Sequence, residues 1–227
     1  ADMILFHNSN TKKMYYNIHS HKVAKCDNTI TIYNVSLHND IIISALSSIG
    51  IAPWESDLYT KTNVALLTKY GINENVVAIG EVGLDKRIDT PLTQQLAIFT
   101  HQILIAEQCN KPMIIHCVGY YNELIQLFRK RRPTVKYILH GFRGKSPLAQ
   151  ELVKHGFYIS LGEKSVLHQE SIQQIPLNKI LIETDDSDIH VEEVYKSISS
   201  IKNISVEELK KSIEENITQC FGWNLRN

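Results

Sequence analysis

The sequence predicts an α/β chain folded as a compact, somewhat abbreviated (β/α)8 TIM-type barrel, and three observations carry that prediction. Eight short apolar, β-branched runs punctuate the chain, longer segments of helical spacing separate most of them, and metal-binding residue types close five of the runs. Strands that alternate with helices build parallel β-α units and hence a parallel sheet. Eight such units close a barrel of usually ~250 residues, and the 227 residues here make a compact one. An open doubly wound sheet is the alternative that the same alternation allows.

The strands are expected at Tyr16–His21, Thr29–Ser36, Ile41–Ile51, Val76–Glu81, Met113–Cys117, Lys136–Gly141, Phe157–Leu161 and Ile180–Thr184, each a short run rich in strand-forming residues. No convincing helix separates the runs between Thr29 and Ser56, so the barrel is abbreviated there. Thr90–Cys109 carries Leu92, Leu96, Phe99, Ile103 and Ala106 on one stripe, the spacing of an amphipathic helix. Thr90 and Pro91 read as its N-cap and first-turn proline. Further helices are expected at Tyr120–Lys130, Ser146–His155 and His190–Lys202. Ser205–Cys220 opens on Ser-Val-Glu-Glu, a capping box, and stops at Gly222. With no internal repeat, linker or low-complexity tract, residues 14–227 read as one domain behind an N-terminal extension, residues 1–13.

Composition narrows the function classes. Hydrophobic residues make up 43% and charged ones 21%, an ordinary globular balance that excludes a disordered chain. Twenty-four Lys and Arg offset 24 Asp and Glu. That balance argues against a strongly basic duplex binder, whose affinity comes from neutralising many phosphates. The cysteines Cys26, Cys109, Cys117 and Cys220 form no CxxC pair and read as reduced thiols of a cytoplasmic protein. No apolar run reaches the ~20 residues of a membrane span, and the N-terminus lacks the pattern of a secretory signal.

In a β/α barrel the loops leaving the C-terminal strand ends build the site. The first strand ends His19-Ser20-His21, the fourth Gly80-Glu81, the fifth Ile115-His116, the sixth Leu139-His140 and the eighth Glu183-Thr184-Asp185. His19 and His21 alternate along a strand and so share a face. Six N and O donors at one mouth call for one or two divalent ions. Imidazole and carboxylate suit zinc and manganese, and carboxylate and water suit magnesium.

His-x-His on the first strand, Glu-Val-Gly-Leu-Asp, Ile-His-Cys, Leu-His-Gly-Phe-Arg-Gly and Ile-Glu-Thr-Asp occur in the order of the TatD-family metal-dependent deoxyribonucleases, which the chain resembles from about Tyr15 to Gly222. That family belongs to the amidohydrolase-like barrels. The resemblance implies that His19, His21 and Asp185 hold a first metal, and that Glu81 bridges to a second held by His116 and His140. It also implies hydrolysis of phosphodiesters by a metal-activated water, exonucleolytic on single-stranded ends, with Asp185 as general base. Two departures stand out. Ala52 occupies the place of the family's usual histidine in Gly-x-His-Pro, and Cys117-Val118-Gly119 replaces its Arg-Asp. Arg143, with Lys86 and Arg87, supplies replacement positive charge for substrate, and Trp54 offers a face on which a base could stack.

Two other classes fit the same residues: a hydrolase of a small phosphoester, amide or lactone on this barrel, and a non-catalytic descendant that keeps metal for binding.

Overall fold

The computed structural model describes residues 14–22, 28–37, 41, 43 and 45–222. The expected extension, residues 1–13, lies outside them. Eight strands pair in sequence order into one all-parallel sheet: β1 Tyr15–Ser20, β2 Thr29–Ser36, β3 Ser47–Gly50, β4 Val76–Asp85, β5 Met113–Val118, β6 Tyr137–Leu139, β7 Tyr158–Leu161 and β8 Ile180–Ile182. A parallel bridge between Ser20 and Asp185 brings the last strand back to the first. The outcome is the barrel rather than the open sheet. All ten residues of β4 are buried, as expected of a strand covered on both faces.

The helices are α1 Lys61–Gly71, α2 Leu92–Cys109, α3 Tyr121–Arg131, α4 Ser146–Lys154, α5 Gln169–Gln174, α6 Val191–Lys202 and α7 Val206–Phe221. Short 3₁₀ turns lie at Pro53–Leu58, Glu163–Leu167 and Leu177–Lys179. Between β2 and β3 no helix intervenes among the described residues, so the barrel is abbreviated where expected. α7 begins as expected, with the Ser205 hydroxyl accepting the Glu208 N–H, and α1 is capped likewise by Thr60.

Several details differ from the sequence reading, among them β4, which runs on past Glu81 to Asp85. The run from Ile41 to Ile51 is a strand only over Ser47–Gly50, where it pairs with Tyr33–Ser36. Ile41 and Ile43 pack against the core outside any ladder, because burial alone satisfies an apolar side chain. α2 starts one residue later than expected, with Pro91 at the N-cap position. The Thr90 hydroxyl pairs with Ser56 while its carbonyl accepts from Gln95. α1 and α5 stand where no helix was expected. Among the described residues, no helix is long and apolar enough to cross a membrane.

Candidate metal centre

The strand ends bring the six expected donors to one mouth. His19 is fully buried and His21, two residues on, is partly exposed. Glu81 lies at the centre, 3% exposed, with its two carboxylate oxygens facing different histidines. Oε2 stands 3.5 Å from His19 Nε2 and 3.4 Å from His21 Nε2. Oε1 stands 2.9 Å from His116 Nδ1 and 2.8 Å from His140 Nε2. Asp185 Oδ1 closes the first set, 3.7 Å from His19 and 3.6 Å from His21. Ligand atoms of His19, His21 and Asp185 lie within 4.8 Å of one another, as do those of His19, Glu81 and His140.

The fit to a cation rests on the groups left over. Both ring nitrogens of His19 and Oε2 of Glu81 are buried without a hydrogen-bond partner, and buried polar atoms are rarely left so. Burial raises the Glu81 carboxyl, but the facing His140, hydrogen bonds from His116 and His140, and the nearby His19 ring hold it well below the usual carboxylate range. Burial lowers the His140 imidazole, but Glu81 and Glu183 raise it well above its usual value. The Glu81 carboxylate facing its ring raises His21 as well. The chain thus presents an ionised carboxylate between imidazoles, a donor set that suits zinc or another first-row divalent ion.

Around these donors stands a layer of partners that strand ends alone did not single out. His116 Nε2 bonds Asp85 Oδ2 at 2.9 Å, and Arg87 grips the same carboxylate at 2.6–3.2 Å. Burial raises Asp85, but Arg87 and His116 bring it down to about 2. His140 Nδ1 faces Glu183 Oε1 at 3.5 Å, and Glu183 also accepts the Gly141 N–H at 2.7 Å. Two histidines therefore each present one nitrogen to Glu81 and the other to a carboxylate, the arrangement that fixes tautomer and ring orientation in metal-ligating histidines. Asn34 Oδ1 accepts the Glu81 N–H, and Asn17 bonds Thr184 through both ends of its amide. Asp85 and Glu183 lie within the quoted motifs; the available signal was a second carboxylate four residues after Glu81 and two before Asp185. Asp185 itself holds a left-handed backbone, φ +56°, a conformation Asp tolerates better than most residues.

Gly83 makes the β4–β5 approach possible. A Cβ there would fall 2.0 Å from the His116 carbonyl oxygen, and its φ is +141°.

The donors open into a cavity of about 690 Å³ whose wall includes Trp54, Arg87, Arg143 and Lys164. Trp54, 46% exposed, sets its ring edge-on to His116 with centroids 4.9 Å apart. Arg143 is exposed on the wall, and Lys164 pairs with Asp186 at 3.2 Å. Lys86 is not among the residues lining this cavity; Arg87, its neighbour, is. Ala52 is buried, its N–H donating to Glu55, and it too stands away from the cavity wall.

A parallel eight-stranded barrel with histidines and carboxylates gathered at its C-terminal mouth defines the class of metal-dependent barrel hydrolases. Within it, the family model for TatD related DNase matches residues 6–222, and the chain belongs to that family. An uncharacterized metal-dependent hydrolase of Bacillus subtilis (strain 168), YabD, is 29% identical over 198 residues, 78% of each chain. The 3'-5' ssDNA/RNA exonuclease TatD of Enterobacter lignolyticus (strain SCF1) is 28% identical over 148 residues, 61% of this chain and 56% of that one. Among solved structures, the TatD homologue YjjV of Escherichia coli superposes with a TM-score of 0.74 at 19% identity, covering 84% of this chain and 85% of that one. That likeness bears on the fold alone.

Proposed function

We propose that this TatD-family hydrolase cleaves phosphodiester bonds at the ends of single-stranded nucleic acid, with His19, His21 and Asp185 holding one divalent ion and Glu81, His116 and His140 a second. The observation that carries the proposal is the orientation of Glu81, whose two oxygens each face a separate pair of imidazoles. Zinc, manganese and magnesium are the candidate ions. When bound, such ions lower the pKa of a coordinated water and offset charge on phosphoryl oxygens. The chain's own residues do the rest. Asp185, partly exposed at the mouth, orients the attacking water and takes its proton. Arg143 faces phosphoryl oxygens from the wall, and the exposed ring of Trp54 offers a stacking surface to a terminal base. Arg87 is committed to Asp85 and acts by holding His116 in place. A cytoplasmic location belongs to the same reading: the described cysteines are free, and burial pushes the Cys117 and Cys220 thiols up to about 12, leaving them inert.

The test is incubation of metal-reconstituted protein with an end-labelled single-stranded oligonucleotide beside the Glu81→Ala variant. A ladder growing from one end, absent in the variant, is the expected outcome. Equal cleavage by both proteins removes Glu81 from the residues that would hold the ions. Absence of cleavage by protein shown to hold metal turns the reading towards a small phosphoester, amide or lactone.

A further inference from the structure

A second cavity, of about 810 Å³, opens at the opposite end of the barrel from the metal donors. Its walls are the C-terminal ends of α3 and α4 and the start of β6, all at the N-terminal face of the sheet. Arg129, Lys130, Arg132 and Lys154 line it. The first three are exposed, and no ion pair engages them among the described residues. Lys154 meets only Glu151, at 3.7 Å, a carboxylate already bonded by His155 at 2.8 Å. Basic residues in a last helical turn complement the helix dipole, an effect confined to that turn. That covers Arg129 and Lys130 on α3 and Lys154 on α4. It does not account for Arg132, which lies past the end of α3 in the left-handed region, or for the convergence of a second helix on the same space.

We infer that this cavity is a docking site for the phosphate backbone of a single strand whose end lies in the metal cavity, an inference that rests on the nucleic-acid reading above. One element joins the two places. Tyr121, at the start of α3, lines the metal cavity, and Gln126 and Arg129, further along, line the basic one. At 1.5 Å per residue the nine steps from Tyr121 to Lys130 span ~14 Å, a distance that a few extended nucleotides cover. The exposed residues along that path are Asn122, Gln126, Arg129 and Lys130. They are neutral hydrogen-bonding groups followed by cations, and the helix's one carboxylate, Glu123, stays in the first turn. A chain with 24 acidic against 24 basic residues has thus gathered four cations around the single carboxylate of Glu151 at one end of a track leading from its site. A single strand is the polyanion that presents regularly spaced phosphates along such a path.

The test uses the full chain with Arg129→Gln, Lys130→Gln, Arg132→Asn and Lys154→Gln combined, all surface changes, Asn being chosen because it tolerates a left-handed backbone. Binding of a fluorescent oligothymidylate of about twelve nucleotides is measured in chelator, where no cleavage intervenes, and turnover of a thymidine dinucleotide is measured with metal. The expected result is binding at least ~tenfold weaker, with the dependence of log K on log salt flattened by up to about 3 for four lost phosphate contacts. Dinucleotide turnover stays unchanged. Equal affinity of variant and native protein for the long strand overturns the inference. If the native protein binds the strand through these residues yet hydrolyses neither substrate, the cavity assignment stands and the nuclease reading fails.

Discussion

At the scale of single residues, Glu81 and His140 set the behaviour of the metal-free protein. Burial disfavours both charged forms, yet their facing charges prevail, so Glu81 lies well below its ordinary 4.5 and His140 well above its ordinary 6.5. A raised imidazole adds stability that is complete below 6.5 and lost as pH climbs towards its folded value. A depressed carboxylate adds stability that is complete above 4.5 and lost as pH falls through its folded value. The pair therefore contributes most between 4.5 and 6.5. Thermal melts of chelated protein against His140→Gln should show the largest difference in that window, shrinking on the alkaline side. A difference flat across pH means that the two groups are not charged together. Cations compete with the same proton, so metal binding weakens as pH falls.

The residue scale is also where the sequence was most and least informative. His19, His21, Glu81, His116, His140 and Asp185 were legible because each closes a plain apolar run, even where β4 and β5 continue past Glu81 and His116, and the mouth of a barrel collects such ends. Asp85 and Glu183 were not, because they act through another side chain: His116 and His140 need a partner for their far nitrogens, and which carboxylate turns towards a ring is decided by packing. Lys86 and Arg87 looked equivalent as neighbours, yet β4 extends to Asp85 and the chain then turns so that Arg87 doubles back on that carboxylate.

At the scale of elements, α2 does more than cover the barrel. Its buried Gln95 accepts the Asp85 N–H and donates to the carbonyls of Asp85 and Thr90. Seven residues on, Gln102 accepts the Ile51 N–H and donates to the Ile51 carbonyl. Two amides two turns apart thus satisfy the backbone where β3 and β4 leave the sheet, the places from which the site loops depart. Gln95→Ala should cost about 1–3 kcal/mol for each buried group left unpaired, read as a lower denaturant midpoint. A change under about 0.5 kcal/mol, ordinary for a surface site, means that water replaces the amide. The apolar stripe of α2 predicted the helix well, but its two buried glutamines stand outside that stripe and drew no reading. α1 escaped notice for a related reason: only Leu67 and Gly71 of its eleven residues are buried, too few to draw a stripe. β6 and β8, three residues each, came out shorter than expected, although the backbone beyond them still bonds the neighbouring strands: the Lys136 carbonyl accepts from Met113, and the His140 and Glu183 N–H groups donate to Ile115 and Leu161.

At the scale of the whole molecule, the first and last strands are drawn together by few bonds, and these lie beside the donors. Asp185 donates its N–H to the His19 carbonyl, and its own carbonyl accepts from His21. Asn17 and Thr184 add the neighbouring pair. A closed barrel comes apart most readily along its least-bonded join, and this join carries His19, His21 and Asp185. A cation shared by those three side chains would act as a clasp between the two ends of the sheet. Hydrogen–deuterium exchange at the His21 and Asp185 amides should therefore slow on adding metal far more than exchange along β4 and β5. Equal slowing throughout would place the gain elsewhere. The residues proposed for chemistry would then also govern how long the fold lasts, and depletion of metal would shorten the life of the native state as well as silence it.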